Sequence, residues 1–421
     1  MIGLLALVLS LPGLSALSIP APSLPVLAKA ESAILIEAET GKILYAYHPD
    51  IKIPPASLTK LITLEIALNM VNSGSLELNQ VIVPVQPAWA ASMAPHSSLM
   101  FLGPNQHLTV DELLKGLIVD SGNDAAYEVA YLIAGGVQAF ADLMNAEVAQ
   151  AGFPGMHFVE PSGLSARNVI TAREFVGFCR RFIHDYPDAL GSYFLRSFTY
   201  PKPSNVNPGS TVHPITQYSR NVLLRTYPGA DGLKTGYITE SGYNIATTAV
   251  RNGMRLISVV LGIQADNGVA GERLMTADSE ELLNYGFDNF AKVTPGYPDA
   301  KPVSIWKGQA PRVALAPKEP PVLVVPKGEA GSVSASVSQA YAVLAPVRAG
   351  QELGEIVLTA DGKPIGSVPL VARASVAEGG LPLRLADSVV LFLRRLFGTN
   401  PISAWHPTQL PAADAQPQTG G

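Results

Sequence analysis

The amino-acid sequence predicts an α/β domain, with an antiparallel sheet flanked by helices, followed by a small all-β domain and an amphipathic C-terminal helix. Hairpin signals at Thr40-Gly41 and Asn252-Gly253 mark the two ends of the first domain, and helical patterns fill the stretch between them. Past Lys292 prolines become frequent and short β-prone runs replace the helices, which predicts the second domain. A chain of 421 residues with 48% hydrophobic content is long enough for two such cores.

The sheet is predicted from strands near both ends of the first domain. Residues 33–39 and 43–47 flank the Thr-Gly turn, and residues 243–250 and 254–263 flank the Asn-Gly turn. A run around Lys234 adjoins the second hairpin as an edge strand, which brings the sheet to about five strands. The middle of the chain supplies the helices.

The first motif that suggests chemistry is Ser-Leu-Thr-Lys at residues 57–60. It opens a predicted helix, to about residue 72, in which only Lys60 and Glu65 are charged, so this helix is expected to be buried. Lys60 follows Ser57 by one turn and therefore lies on its side of the helix. Burial disfavours a charged ammonium, and a neutral lysine is a general base for a serine. The alternative is a lysine that extends its charged end to solvent.

The second motif is Ser-Gly-Asn at residues 121–123. Thr109 and Glu112 form a capping-box pattern that begins a helix ending near residue 119, and another helical run begins near Asp124, which is predicted to be only a first-turn charge. The connection between these helices is short, so the side chains of Ser121 and Asn123 can point into a cleft. Either side chain could instead cap the following helix.

The third motif is Lys-Thr-Gly at residues 234–236, in the predicted edge strand. A glycine there lets a peptide backbone approach closely, and a lysine and a hydroxyl beside it suit a carboxylate. Two motifs recur in the chain, as Ser-Ile-Trp-Lys at residues 304–307 and Ser-Arg-Asn at residues 219–221. The first of these copies has no partner motifs in order and is set aside.

Taken together and in this order, the three motifs resemble those of the low-molecular-weight penicillin-binding proteins that act as D-alanyl-D-alanine carboxypeptidases. Residues 55–60, 121–125, 231–237 and 253–258 are similar to that family over longer stretches, and the resemblance covers roughly residues 20–395. It implies a fold like that of the DD-peptidases and serine β-lactamases.

The resemblance also implies a reaction. Ser57 would attack the carbonyl of the penultimate D-alanine of a peptidoglycan stem peptide, with Lys60 as its base. The terminal D-alanine would then leave from an acyl-enzyme, with Ser121 relaying a proton to the leaving amine. β-Lactams would acylate the same serine and inhibit the enzyme. No sequence feature identifies the base for deacylation.

Further residues are implied to bind substrate. Asn123 would orient the substrate or Lys60, whereas Lys234 and Thr235 would hold the terminal carboxylate, and Lys234 would help to keep Lys60 neutral. Backbone N–H groups of Ser57 and Tyr237 would form the oxyanion hole, and Gly236 is a further candidate for binding substrate.

Two arginines are additional candidates for the substrate carboxylate. Arg220 lies in the Ser-Arg-Asn stretch, which resembles an Asn-Arg-Asn stretch of the family. Arg273 is the other, although its spacing to Leu282-Leu283 departs from the family pattern.

Three other functions are alternatives to this reaction. A class A β-lactamase carries Glu-x-x-Leu-Asn between the second and third motifs, whereas here that string, at residues 280–284, follows the third motif on a predicted terminal helix. A DD-endopeptidase that cuts cross-links stays open. A non-catalytic muropeptide-binding protein is disfavoured by the intact Ser57, Lys60, Ser121 and Lys234.

Composition indicates neither nucleic acid nor a cofactor. The net charge of -5 gives no reason to expect nucleic-acid binding. Cys179 is the only cysteine, so no intrachain disulfide forms, and the seven histidines include no i,i+4 pair. No metal site and no cofactor are expected.

The ends of the chain predict an exported, peripheral membrane protein. Residues 1–18 are expected to be a signal peptide, although a basic n-region is missing, and residues 19–295 form the catalytic domain. The enzyme would work at the outer face of the cytoplasmic membrane, in the periplasm if the cell has two membranes.

The second domain is predicted at residues 296–378, with a hairpin at Asp361-Gly362, and resembles the family's C-terminal β domain. Residues 379–398 are expected to form an amphipathic helix that anchors the protein at the membrane surface. The alternative is that its apolar face packs on the β domain. Residues 399–421 are expected to be a disordered tail.

Overall fold

The structure is a computed structural model that describes residues 27, 29–208, 211–402 and 405–408. The predicted signal peptide lies outside these residues. The described chain divides into two compact units between Asn289 and Phe290, slightly before the predicted boundary at residues 295/296, because the strand at residues 290–293 pairs within the second unit. Within the described residues no single helix has the length and apolar composition of a membrane span, although Asn123–Ala134 and Val137–Gln150 together meet both criteria with an 83° bend between them.

The first unit has nine strands and eight α-helices in its described residues. The strands are β1 (Ser32–Glu37), β2 (Ile43–Tyr47), β3 (Val81–Ile82), β4 (Leu108–Thr109), β5 (Ser197–Tyr200), β6 (Ile215–Tyr218), β7 (Ala230–Ile238), β8 (Gly242–Arg251) and β9 (Met254–Ile263). The helices are α1 (Lys60–Asn72), α2 (Val110–Ile118), α3 (Asn123–Ala134), α4 (Val137–Gln150), α5 (Ala172–Asp185), α6 (Ala189–Tyr193), α7 (Leu223–Thr226) and α8 (Gly268–Asn289).

Five strands form the main sheet in the order β2-β1-β9-β8-β7, and every neighbouring pair is antiparallel. Both predicted hairpins are present, and β7, which carries Lys234, is the edge strand that the sequence predicted. Alternate residues of a strand point to opposite faces. Ile34 and Ile257 enter the core shared with the helices before β5, whereas Leu35 and Leu256 lie against Gly286 of α8 on the other face.

Helix α1 lies at the centre of the helical layer. Its first nine residues, from Lys60 to Leu68, are all buried, as the nearly uncharged sequence predicted. Helix α2 begins with the predicted capping box, in which the Thr109 hydroxyl accepts from the Glu112 backbone N–H and the Glu112 carboxylate accepts from the Thr109 N–H. The short link between α2 and α3 ends beside the start of α1, where Asn123 and Lys60 are hydrogen-bonded.

The second unit is β-rich. Its strands are β10 (Phe290–Val293), β11 (Val303–Trp306), β12 (Arg312–Val313), β13 (Leu315–Pro317), β14 (Leu323–Pro326), β15 (Val333–Gln339), β16 (Ala342–Leu344), β17 (Glu352–Ala360) and β18 (Lys363–Ala372), followed by helix α9 (Leu381–Leu396). The predicted hairpin is β17 and β18, with Asp361 and Gly362 both at positive φ, as a tight hairpin turn requires. The largest sheet of this unit runs β13-β18-β17-β15.

Helix α9 contacts the β-rich unit through its polar side. The Lys307 backbone N–H donates to Asp387 Oδ2 at 2.5 Å, and the Arg394 guanidinium lies over the Trp306 ring. Leu391, the one apolar residue on this side, is the only buried residue of the helix. Phe392 is 65% exposed and Leu396 69% exposed, so the alternative in which the apolar face packs on the β domain is wrong.

The segment after α9 departs in part from the disordered tail that the sequence predicted. Trp405 Nε1 lies 3.3 Å from Ser338 Oγ, and the Thr408 backbone N–H donates to Glu355 Oε1 at 2.6 Å. The half-buried ring of Trp405 packs on the β-rich core and holds a segment whose composition is otherwise polar. Residues 409–421 lie outside the described part of the chain.

Candidate active site

Ser57 and Lys60 lie where a short 3-10 turn, Ala56–Thr59, passes into α1. Lys60 is fully buried, and its Nζ is within hydrogen-bonding distance of three oxygens: Ser57 Oγ at 3.0 Å, Asn123 Oδ1 at 2.7 Å and the Ser162 carbonyl at 2.7 Å. Ser57 itself is half-buried and so reachable from the cleft. The alternative in which Lys60 extends to solvent is wrong.

Burial lowers the pKa of Lys60 to about 7, and the negative charges of Glu160 and then Asp124 oppose that shift. Removing an ammonium from water disfavours its charged form, and among the described residues no carboxylate forms a hydrogen bond with Lys60 Nζ. A large fraction of the amine is therefore neutral near pH 7. A neutral amine 3.0 Å from a hydroxyl is positioned to accept its proton.

Ser121 and Asn123 occupy the link between α2 and α3. Gly122 caps α3 without a side-chain bond, so neither flanking residue has a capping role. Ser121 is buried at positive φ, and Asn123, the first residue of α3, gives its amide oxygen to Lys60. The Ser-Gly-Asn motif thus meets the Ser-x-x-Lys motif at the helix starts.

Asp124 is more than the first-turn charge that the sequence predicted. It is fully buried, and its carboxylate accepts from the backbone N–H groups of Met100 and Leu102 and from that of Ala125. Asp124 therefore ties the loop before β4 to the start of α3. In a sequence, an acid in the first turn of a helix looks the same whether it is exposed or binds a loop. Only the hydrogen bonds from Met100 and Leu102 show that Asp124 binds one.

Lys234 brings the third motif into the same cleft. Its ammonium group is buried and donates to the Thr235 carbonyl at 2.9 Å. Burial lowers the pKa of Lys234 well below its usual range, and the nearby charges of Lys60 and Arg220 lower it further. The charge of Lys60 thus disfavours a second charge on Lys234, whereas the expected effect of Lys234 on Lys60 stays a prediction. A substrate carboxylate would relieve that repulsion.

Gly236 lets β7 approach the serine. A Cβ at this position would lie 2.6 Å from the Ser57 backbone nitrogen, closer than real Cβ contacts come. Thr235 is buried, whereas Tyr237 is 53% exposed and its ring is tilted by 33° against that of Tyr243, with centroids 4.4 Å apart. The strand edge at Gly236 and Tyr237 therefore runs beside the Ser57 backbone.

The two candidate arginines have different surroundings. The Asn221 side chain is buried and donates to the Gly232 carbonyl at 3.1 Å, which fastens the Ser-Arg-Asn segment to β7. Arg220 is exposed there, close enough for its charge to act on Lys234. Arg273 is exposed on α8, and among the described residues no hydrogen bond or ion pair joins it to these side chains. A role for Arg273 stays a prediction.

The loop that provides the Ser162 carbonyl carried no motif and was missed. Its Gly163 is at positive φ, and a Cβ there would lie 1.8 Å from the Ala56 carbonyl oxygen. A backbone carbonyl leaves no side-chain signature in a sequence. Among the described residues there is no cluster of His, Cys, Asp and Glu that could hold a metal, and Cys179 is a buried thiol whose pKa is raised by burial.

Residues 20–265 match the family described as D-alanyl-D-alanine carboxypeptidase, and residues 293–378 match the C-terminal domain of penicillin-binding protein 5. The chain belongs to the D-alanyl-D-alanine carboxypeptidase family. Similar curated members include the D-alanyl-D-alanine carboxypeptidases DacC, at 34% identity, and DacA, at 32%, both of Escherichia coli K12. The DacC match covers 88% of this chain and 90% of DacC, and the DacA match covers 88% and 89%.

Solved structures of penicillin-binding proteins are similar to this chain in fold and sequence. Penicillin-binding protein 5 from Haemophilus influenzae is 31% identical with a TM-score of 0.74, over 85% of this chain and 99% of that chain. Penicillin-binding protein 6B from Escherichia coli is 30% identical with a TM-score of 0.67, over 85% and 99%. Penicillin-binding protein D2 from Listeria monocytogenes in its ampicillin-bound form is 26% identical with a TM-score of 0.53, over 62% and 100%.

The family and the structure both disfavour a class A β-lactamase. The Glu-x-x-Leu-Asn string lies inside α8, where Leu283 is buried and Asn284 Oδ1 accepts from the Tyr227 hydroxyl at 2.8 Å. That asparagine is engaged on the helix rather than beside Ser57. The copy of Ser-x-x-Lys at Ser304 lies in β11 of the other unit.

Proposed function

We propose that this enzyme is a serine-type D-alanyl-D-alanine carboxypeptidase that removes the terminal D-alanine from peptidoglycan stem pentapeptides through an acyl-enzyme on Ser57. The observation that carries the proposal is the 3.0 Å contact between Ser57 Oγ and the buried Nζ of Lys60. A serine hydroxyl is a weak nucleophile until a base accepts its proton. A lysine with a pKa of about 7 is such a base at neutral pH.

In the acylation step Ser57 Oγ forms a bond to the carbonyl carbon of the penultimate D-alanine, and its proton moves to Lys60 Nζ. The carbonyl oxygen then carries negative charge, which backbone N–H groups of Ser57 and Tyr237 would stabilise. The close approach at Gly236 supports this arrangement. When the C–N bond breaks, Ser121 would pass a proton to the amine of the departing D-alanine. Water later hydrolyses the ester.

The substrate's free carboxylate would lie against Lys234, Thr235 and Arg220. The two nearby positive charges act on Lys234, so an anion at this place lowers the electrostatic energy of the whole cluster. Asn123 would keep Lys60 in position. The need for a carboxylate explains why the enzyme acts at a chain end. β-Lactams present a similar carboxylate and carbonyl and would acylate Ser57.

The test is a two-substrate incubation. Purified protein is mixed with monomeric pentapeptide and with a cross-linked dimer, and products are separated by mass. We expect one D-alanine to be lost from the pentapeptide, no loss with Ser57→Ala, and a penicilloyl adduct on the Ser57 peptide of the wild type. Cleavage of the dimer alone would favour the endopeptidase, and rapid penicillin turnover with intact pentapeptide would favour a β-lactamase.

The proposed location is the outer face of the cytoplasmic membrane. Residues 1–18 would direct export, and α9 would then lie in the membrane interface. The exposed apolar face of α9, with Phe392, Leu393, Leu396 and Phe397, supports this placement. An enzyme anchored there would meet stem peptides as they emerge outside the cell.

A further inference from the structure

A buried carboxylate organises the loop beneath Ser57 and Lys60, which we name the Glu160 loop (residues 160–168). Glu160 is 7% exposed. Its two oxygens accept from five donors: Ser162 N at 2.7 Å, Ser162 Oγ at 2.5 Å, Gly163 N at 2.7 Å, Ser165 N at 3.3 Å and Asn168 Nδ2 at 2.9 Å. A carboxylate has about four lone-pair sites, so these donors occupy them.

The Glu160 loop contacts the turn that carries Ser57 and the start of α1 at four further points, one of which is the Asn168 amide donating to Thr59 Oγ1 at 3.3 Å. The Ser162 carbonyl meets Lys60 Nζ at 2.7 Å, and the adjoining Pro161 carbonyl accepts from the Thr63 hydroxyl at 2.7 Å. Gly163 touches the Ala56 carbonyl, where any side chain would collide. The shape of the Glu160 loop therefore determines where a carbonyl oxygen stands relative to the amine.

Glu160 does not have the geometry of a base for deacylation. Its oxygens are occupied by the loop's own donors, and among the described residues none of its hydrogen bonds goes to Ser57 or Lys60. It can act on the reaction in two indirect ways: through the Ser162 carbonyl that it positions, and through its charge.

We propose that Glu160 is a positioning residue for acylation, which holds the Ser162 carbonyl against Lys60 and supplies a negative charge that favours the protonated amine. This inference rests on the proposed function. Glu160 would act on Lys60 in two ways. The Ser162 carbonyl that it positions holds the Lys60 amine beside Ser57. The charge of Glu160 opposes the effect of burial on the proton affinity of that amine.

The charges that face Lys60 come from three elements. Lys234 on β7 is a cation only when protonated, and its own pKa is lowered. Asp124 on α3 and Glu160 act on Lys60 as negative charges, and the Glu160 charge also raises the pKa of Tyr127 on α3. Of the groups that raise the pKa of Lys60, Glu160 is the strongest. Removing that charge is expected to lower the pKa of Lys60 further, so the neutral amine would persist to lower pH. The acid limb of the pH profile of acylation is then expected at lower pH.

The experiment compares Glu160→Gln, which removes the charge, with Glu160→Asp, which keeps it but shortens the side chain. The second-order rate of acylation by fluorescent penicillin is followed from pH 5 to pH 9 in the full chain. For Glu160→Gln we expect the midpoint of the acid limb to fall by about one pH unit, and the plateau rate by about tenfold. For Glu160→Asp we expect the lower plateau with the wild-type midpoint.

An unchanged midpoint in folded Glu160→Gln, or equal shifts in both variants, overturns the inference. If Glu160→Gln does not fold, Asn168→Ala is used. It removes one donor to the carboxylate, together with the bonds of Asn168 to Thr59, Val159 and the Glu160 carbonyl, and leaves the charge unchanged. It must lower the plateau and keep the midpoint, and any other result also overturns the inference. Failure of the proposed function is distinguishable, since the wild type would then form no adduct on Ser57.

Discussion

Asn123, the first residue of α3, accepts a hydrogen bond from Lys60, the first residue of α1, with Oδ1 and Nζ 2.7 Å apart. Removing this acceptor leaves a buried amine with one partner fewer and with freedom to turn from Ser57. For Asn123→Ala we expect acylation by penicillin to slow about a hundredfold. Stopped-flow measurement with a fluorescent penicillin checks this.

The matched variant is Asn123→Asp, which keeps the shape and adds a negative charge beside Lys60. An opposite charge within hydrogen-bonding distance raises the pKa of an amine. The acid limb of acylation should therefore move to higher pH, while Asn123→Ala leaves its midpoint near the wild-type value. Identical profiles for the two variants would contradict the role given to Asn123.

The pKa of Lys60 predicts the pH dependence of the wild type. The amine must be neutral to accept the proton of Ser57, and its pKa is lowered to about 7 by burial. The value of kcat/KM for pentapeptide should therefore rise as pH increases through about 7 and level off above it. A limb near the ordinary lysine value, or a flat profile from pH 5.5 to 8.5, would show that Lys60 is not the base.

Gly163 and Gly152 have similar positive φ angles, so alanine substitutions at the two positions distinguish the cost of backbone strain from that of a steric clash. Gly163 has φ +88° and its Cβ would lie 1.8 Å from the Ala56 carbonyl, whereas Gly152 has φ +85° with nothing within 4 Å. Gly152→Ala should lower the free energy of unfolding by about 1 kcal/mol, from backbone strain alone. Gly163→Ala should cost about 2 kcal/mol more and displace Ser57, so acylation falls as well. Chemical denaturation and the penicillin assay check both; equal losses would refute the close packing.

Much of the site could be predicted from the sequence because its residues lie where local patterns change. Lys60 begins a helix with almost no other charge, Asn123 follows a capped helix, and Lys234 adjoins an Asn-Gly hairpin. Each pattern is local, and the resemblance to the family predicted that the three motifs form one site.

What could not be predicted depends on contacts between distant segments. The Ser162 carbonyl is a backbone group, and Glu160 bonds within its own loop, so neither has a motif. The sequence predicted Asp124 only as a first-turn charge, because the Met100 and Leu102 N–H groups that donate to it lie more than twenty residues away in the chain. The polar side of α9 docks through Leu391, the residue that breaks the amphipathic pattern.

Arg220 should matter only when the substrate carries a carboxylate. Arg220→Ala should slow acylation by benzylpenicillin about 10- to 100-fold, the size of a lost hydrogen bond to a charged group. Acylation by its methyl ester should change little. Asn221→Ala, which frees the segment from the Gly232 carbonyl, should show the same selectivity with a smaller loss. Equal loss on acid and ester would assign Arg220 a structural role instead.

Helix α9 should bind membranes through its apolar face and with little dependence on salt. Two of its arginines are exposed but have partners in the protein: Arg384 pairs with Glu378 at 2.6 Å, and Arg394 lies over Trp306. Burial of apolar surface is then the main source of affinity, since these charges are not free for lipid phosphates.

Replacing Phe392 and Leu396 together by serine removes two exposed apolar side chains from that face. Each is worth about 1.5–3 kcal/mol when fully buried, so binding to phosphatidylcholine vesicles should fall at least tenfold. Leu391→Ala is the control, because that side chain is 6% exposed and contacts the β-rich unit; it should lower thermal stability with a smaller effect on binding. Co-sedimentation at low and high salt provides the measurement. Binding that requires anionic lipid and disappears in salt would show that charge, rather than the apolar face, holds the helix at the membrane.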